Sequence, residues 1–235
     1  MVKLQINITF KNQQQRNKVL GTAFEKHILY IIRKYYNNNV KSGSIHEFID
    51  KKMLKRYIIF TSYGYFVPYF VLNPRKHLHD IFDENFKPKF KKSEWLFEKI
   101  RNISGGGLHI VRLSKIIRKA DIIIETSNGP IVYDAKYRTT SKVGVKDVIR
   151  IYCYKKLMNS NRIGFVTSRK YVLTKRAYKM AKSLNIEIIS VDELEARLGI
   201  EGTIVINKYD NGYEVKAIFD DEIVLLHKGS FTQSQ

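Results

Sequence analysis

The sequence predicts an α/β fold: a mixed central sheet flanked by helices, with a small C-terminal β appendage. Three observations predict it. After residue 120 the apolar pattern runs strand, strand, helix, strand, helix, strand. The first of these strands, ADIIIET, is apolar on both faces, as a central strand is. Beyond residue 200, TIVINKYDNGYEVKAIFDDEIVLL alternates around a turn signal and reads as a hairpin plus a third strand.

The elements follow in order. KLQINITF at 3–10 alternates and reads as an edge strand. The polar stretch KNQQQRNKVLG leads to a helix at about 22–36, where Phe24, Ile28, Ile31, Ile32 and Tyr35 recur at helical spacing. Asn37–Asn39 end it. Residues 40–102 form an aromatic-rich insertion, with YIIFTSYGYFVPYFVL β-prone, KSEWLFEKIRNI a short helix, and Pro68, Pro74 and Pro88 as breaks. SGGG at 104–107 is a joint. After the hairpin at 120–138 come a helix at about 146–158, the strand IGFVTS and a helix capped by Thr174 and running through Leu184. IEIISV is the next strand, and Ser190 with Glu193 forms a capping box for a short helix to Leu198. Residues 1–200 thus read as a core domain and 201–235 as a β-meander appendage and tail.

Composition narrows the partners. The 235 residues hold 42 Lys+Arg against 22 Asp+Glu, a formal net charge of +20, and are 44% hydrophobic and 12% aromatic. Such a chain is globular, and its charge attracts polyanions, nucleic acid first. It has no long basic amphipathic helix with an apolar face to lie on an anionic membrane, and no apolar run of spanning length. The start, MVKLQINITFKNQQQ, has no signal-peptide h-region, so the expectation is a soluble, intracellular (cytoplasmic) protein. One cysteine, Cys153, excludes an internal disulfide or a multi-cysteine metal site.

The chemistry lies in the hairpin ADIIIETSNGPIVYDAKYR. Burying its charges is costly unless they are paired or hold a metal. Asp134 and Lys136 share one face of their strand, as Asp121, Ile123 and Glu125 do on the other. A two-residue Asn128-Gly129 turn and a four-residue Ser127–Pro130 loop both pair Asp121 with Lys136 and Ile123 with Asp134. Either way, two carboxylates reach one point beside an ammonium. Two hard oxygen ligands suit Mg²⁺, and metal-assisted phosphodiester hydrolysis suits the set. The alternative is a Lys–Asp pair on a solvated sheet face, which is worth little.

Asp121 followed, across the hairpin, by Asp134-Ala135-Lys136 resembles the catalytic core of the PD-(D/E)xK nuclease superfamily. The elements over about 120–198 resemble its Mrr-type and archaeal Holliday-junction resolvase branch. The resemblance implies a restriction-endonuclease-like core. It also implies Mg²⁺ (or Mn²⁺) held by Asp121, Asp134 and the Ala135 main-chain carbonyl, with Lys136 serving the attacking water. Ala120 stands where the family's name puts proline, and Arg150 stands roughly where related enzymes carry glutamine. Many members add a glutamate from an N-terminal helix. Glu25 is that candidate, riding with Ile28, Leu29 and Ile32, although Thr22-x-x-Glu25 also reads as a capping box.

Arg138, Lys142, Lys146 and Arg150 follow the motif and are candidate phosphate contacts. Glu125 reads as a solvated residue near the turn, and His77, His79 and Asp80 as a surface loop rather than a metal site. Gly105–Gly107 read as a hinge or a close approach to DNA. Tyr57, Tyr63, Tyr65, Tyr69 and Trp95, interleaved with Arg56, Arg75 and Lys91, suit either core packing or base stacking. The expectation is a Mg²⁺-dependent DNA endonuclease acting as a homodimer. Its rivals are a nuclease-like DNA-binding protein that does not cut, and an enzyme or binder directed to RNA.

Overall fold

A computed structural model describes residues 3–36, 39–44, 57–61, 69–71, 108–112, 119–138, 142–169, 172–220 and 222–231. The elements are β1 (Lys3–Asn7), α1 (Gln13–Tyr35), β2 (Val40–Ser44), β3 (Tyr57–Thr61), β4 (Tyr69–Val71), β5 (Leu108–Arg112), β6 (Lys119–Ile124) and β7 (Ile131–Lys136). Then follow α2 (Val145–Leu157), β8 (Arg162–Thr167), α3 (Lys175–Ser183), β9 (Glu187–Ser190), α4 (Val191–Leu198), β10 (Gly202–Tyr209), β11 (Gly212–Phe219) and β12 (Glu222–Ser230). The fold is α/β, with helices packed on a mixed sheet.

The central sheet has the order β2-β6-β7-β8-β9. Its β2, β6 and β7 run antiparallel, while β7, β8 and β9 run parallel. Isoleucines on both faces of β6 cover two cores, as the apolar run predicts. Ile122, Ile124, Ile131 and Tyr133 pack with Phe24, Ile28 and Ile32 of α1. Ile123 and Val132 pack on the other side with Val148, Ile149, Ala177 and Met180 of α2 and α3. Thr174 and Ser190 cap α3 and α4 as expected, accepting from the Ala177 and Glu193 amides.

Helix α1 starts nine residues earlier than its apolar spacing predicts. Its N-cap is Asn12, whose side chain accepts from the Gln15 amide at 2.8 Å, so Thr22 and Glu25 lie mid-helix and the capping-box reading of Glu25 is corrected. The added turns are polar outside, but they bury Val19 and Leu20 against Ile204, Ile206 and Val215 of the C-terminal sheet. That partner is invisible to local periodicity.

The C-terminal sheet has the order β1-β10-β11-β12. Residues 3–7 do form an edge strand, and it lies in this sheet, parallel to β10. The two ends of the described chain therefore share one sheet. Tyr209 pairs with Gly212, so the β10–β11 turn is Asp210-Asn211, and Asp210 takes a positive φ of 41°. A third, antiparallel sheet has the order β4-β3-β5. Tyr57 and Tyr69 begin two of its strands. Arg56, Tyr63, Tyr65, Arg75, His77, His79, Asp80, Lys91, Trp95, Gly105–Gly107 and the expected KSEWLFEKIRNI helix lie outside the described residues. Among the described residues no helix is long and apolar enough to cross a membrane.

Candidate active site

Strands β6 and β7 pair Ile122 with Tyr133, Ile123 with Val132 and Ile124 with Ile131. The turn is Ser127-Asn128, closed by the Gly129 amide donating to the Thr126 carbonyl at 3.1 Å. This corrects the expected pairing by two residues. The pairing stops at Ile122–Tyr133, so the expected Asp121–Lys136 and Ile123–Asp134 pairs do not form. The cause is Gly129: at φ 100° it leaves the turn rather than occupying its centre, and a Cβ there would stand 3.1 Å from the Asn159 carbonyl oxygen. Between Ile123 and Ala120 the pairing of β6 with β2 slips by one residue, so Asp121 sits at an irregularity of its strand. It reaches Asp134 through that irregularity rather than by simple alternation of faces.

The ladder ends at Ile122–Tyr133. One step further, the Ala135 amide donates to Asp121 Oδ2 at 2.9 Å, so a carboxylate stands where an unbroken ladder would place a carbonyl. On a strand, the N–H and C=O of one residue point to the same edge, which turns the Ala135 carbonyl toward this gap. Asp134 is 4% exposed and Lys136 9%. The Lys136 ammonium lies 2.6 Å from Asp134 Oδ2. That contact is a buried, charge-assisted pair, and the oxygen has no further hydrogen-bond partner among the described residues.

The two carboxyls ionise in opposite directions. Burial, then the charge of Asp134 and the hydrogen bond they share, holds Asp121 well above the usual carboxylate range. Burial pushes Asp134 up as well, but Lys136, the bond from Asp121 and the Arg150 charge together bring it below its ordinary value. The site therefore sets two carboxyls of opposed proton affinity beside the Lys136 side chain.

The other candidates sit around this centre. Glu25 is near enough for its charge to add to the upward push on Asp121, yet its carboxylate pairs with Lys119 at 3.3 Å. Arg150 faces Asp134 from α2, with its Nη1 3.8 Å from Asp147. Arg138 follows β7. The Nε atoms of Arg138 and Arg150 are buried, and neither has a hydrogen-bond acceptor among the described residues. Lys142 and Lys146 are exposed beside them, while Glu125 pairs with Lys41 at 3.1 Å near the turn. Three neighbours escaped sequence reasoning. Lys119 holds Glu25. Ser168 ties down the end of β7, its amide donating to the Lys136 carbonyl at 3.1 Å and its hydroxyl accepting from the Arg138 amide at 3.2 Å. His227 of β12 is held below its ordinary pKa by burial and Lys26, with Glu25 pulling the other way. Lys119 could have been found from its place two residues before Asp121; Ser168 and His227 are brought in by tertiary packing alone.

Among the described residues no three His, Cys, Asp or Glu side chains form a metal-binding group. The donors nonetheless fit a hard divalent ion by type: two aspartates and a main-chain carbonyl lie at one gap, and Mg²⁺ commonly keeps several waters. No family model, curated protein or solved structure matches the chain.

Proposed function

We propose that the chain is a Mg²⁺-dependent endonuclease hydrolysing DNA phosphodiester bonds on a restriction-endonuclease-like core of the PD-(D/E)xK type. One observation carries the reading. Three ionisable groups converge in the gap where β6 and β7 part, and two of them are buried. A solvated cross-strand pair would leave its charges in water, so surface chemistry does not account for them.

Asp121 and Asp134, with the Ala135 carbonyl, would hold the ion. When bound, Mg²⁺ supplies charge neutralisation at the phosphate and an activated water. Lys136 orients that water or stabilises the negative charge that develops on the phosphate oxygens. Arg138, Arg150, Lys142 and Lys146 contact the neighbouring phosphates, and Glu25 is the further acidic member at the margin. Cutting both strands requires two sites, so a homodimer belongs to the proposal.

The test is cleavage of supercoiled, linear, single-stranded and four-way-junction DNA with Mg²⁺ or Mn²⁺. Asp134→Asn is the control, because it keeps the shape of the side chain and an oxygen that can accept from Lys136. Its melting is measured beside wild type, since removing one charge of a buried pair costs about 3–5 kcal/mol. Wild type should cut, and the variant should lose at least about a hundredfold in rate, several kcal/mol of transition-state stabilisation. No cutting on any substrate with either metal would overturn the reading and leave a nuclease-like DNA-binding protein. A preference for RNA in competition would redirect the substrate.

A further inference from the structure

Helix α3 breaks two local rules at once. Its outer face presents Lys175, Arg176, Tyr178, Lys179 and Lys182, all exposed, while Ala177, Met180 and Ala181 are buried. Lys175 and Lys179 stand at i,i+4 and Lys179 and Lys182 at i,i+3, spacings at which like charges destabilise a helix by about 0.2–0.5 kcal/mol per pair. Lys175 and Arg176 also lie in the first turn, against the helix dipole, with no acidic residue there to offset them. The chain holds no Asp or Glu from Ser168 through Ile186. Among the described residues no carboxylate pairs with Lys175, Lys179 or Lys182, and Lys182 lies 5.7 Å from the ring centre of Tyr178, itself 47% exposed. Lysines set at mutually repelling spacings, with no carboxylate partner among the described residues, mark a surface kept for a partner.

The face is continuous with the site. Val143 and Leu173 bridge the segments that open α2 and α3, with the Val143 amide donating to the Val172 carbonyl at 2.9 Å. Both helices thus start at the end of the sheet that carries Lys136, and the basic surface runs from Lys142 and Lys146 onto α3. From Lys175 to Lys182 it advances by roughly 10 Å at 1.5 Å per residue. A duplex presents one charge per about 1.7 Å of its axis, enough to meet each lysine with a phosphate. An anionic membrane fits less well, because a surface-lying helix needs an exposed apolar face and the apolar residues of α3 are in the core.

We propose that the outer face of α3 is a second nucleic-acid contact, which grips the phosphate backbone of duplex beyond the segment at the Asp121–Asp134–Lys136 site. The inference rests on the reading of the partner as nucleic acid, and not on cleavage. Its test is binding of the full chain, in EDTA, to a labelled duplex of about 30 base pairs across a salt series. Lys175→Gln, Lys179→Gln and Lys182→Gln together should lower the slope of log affinity against log salt by about 2–3 and weaken binding roughly tenfold at physiological salt. The variant should melt no lower than wild type, because like-charge pairs are removed. Lys3→Gln, Lys208→Gln and Lys228→Gln on the C-terminal sheet remove the same charge and should change the slope far less. Equal losses in both variants, an unchanged slope for the α3 variant, or a loss confined to phosphatidylserine vesicles would overturn the proposal. An unchanged slope with cleavage intact sinks this surface alone. A reduced slope in a protein that cuts nothing sinks the nuclease reading alone.

Discussion

Asp121 and Asp134 have the same side chain and nearly the same place, yet one favours its proton and the other sheds it. The difference comes from neighbours: Lys136 and Arg150 act on Asp134, while Asp121 faces the charges of Asp134 and Glu25. Asp121 binds its proton more tightly in the native state than in the unfolded chain. Stability of the metal-free protein therefore falls as pH rises from the ordinary aspartate value through the raised one. Asp134 acts oppositely: its contribution is present above the ordinary value and is lost as pH falls through the lowered one. Asp121→Asn removes the first effect. In EDTA near pH 8 the variant should melt higher than wild type by several degrees, a change of about 1 kcal/mol being worth about 2–4 °C in a chain of this size. Calorimetry with and without Mg²⁺ checks it. An equal or lower melting point in EDTA would show that Asp121 is ionised without strain.

The strands themselves carry a device at a single row of the sheet. Tyr133, Gly164 and Glu187 are partners on β7, β8 and β9. Because Gly164 has no side chain, the Tyr133 ring can lie across β8 and its hydroxyl can donate to Glu187 at 2.7 Å. A Cβ at Gly164 would come within 2.7 Å of the Tyr133 ring and 2.9 Å of the Glu187 carbonyl oxygen. Gly164→Ala should therefore destabilise the protein by about 1–3 kcal/mol, read by denaturant titration. Double substitution with Tyr133→Ala should recover part of that loss. Most elements were legible at this scale: α2, β8, α3, α4 and the three tail strands follow their spacing and caps. The start of α1 was not, because Gln13 to Lys18 carry no apolar period and Gly21 mimics a break.

Two sheets share one helix in the molecule as a whole. His27 of α1 is fully buried, its Nε2 2.8 Å from Glu195 of α4, and its ring is stacked 5.4 Å from Phe219 of β11. Phe219 and Ala217 belong to the same core as Ile122 and Ile124 of the central sheet. Removing residues 201–235 would expose Val19, Leu20 and Ala23 and leave β1 without β10. The truncated chain should show no cooperative melt and should bind a hydrophobic dye, whereas an intact transition would mark the C-terminal sheet as dispensable. Such coupling is hard to read from sequence, since each strand of the tail looks the same whether it packs on α1 or stands apart.

What the sequence determined by itself is the periodic part: strands apolar on one or both faces, caps at Thr174 and Ser190, and the shared face of Asp134 and Lys136 on one strand. A shift of two residues moves partners but not faces, so Ile122, Ile123 and Ile124 keep their expected sides, whereas at Asp121 the one-residue slip against β2 breaks the alternation. The tertiary structure alone decided that Asp121 replaces a ladder carbonyl at Ala135, that Arg150 faces Asp134, and that Glu25 is held by Lys119. Those depend on distances between segments far apart in the chain, which no local pattern encodes.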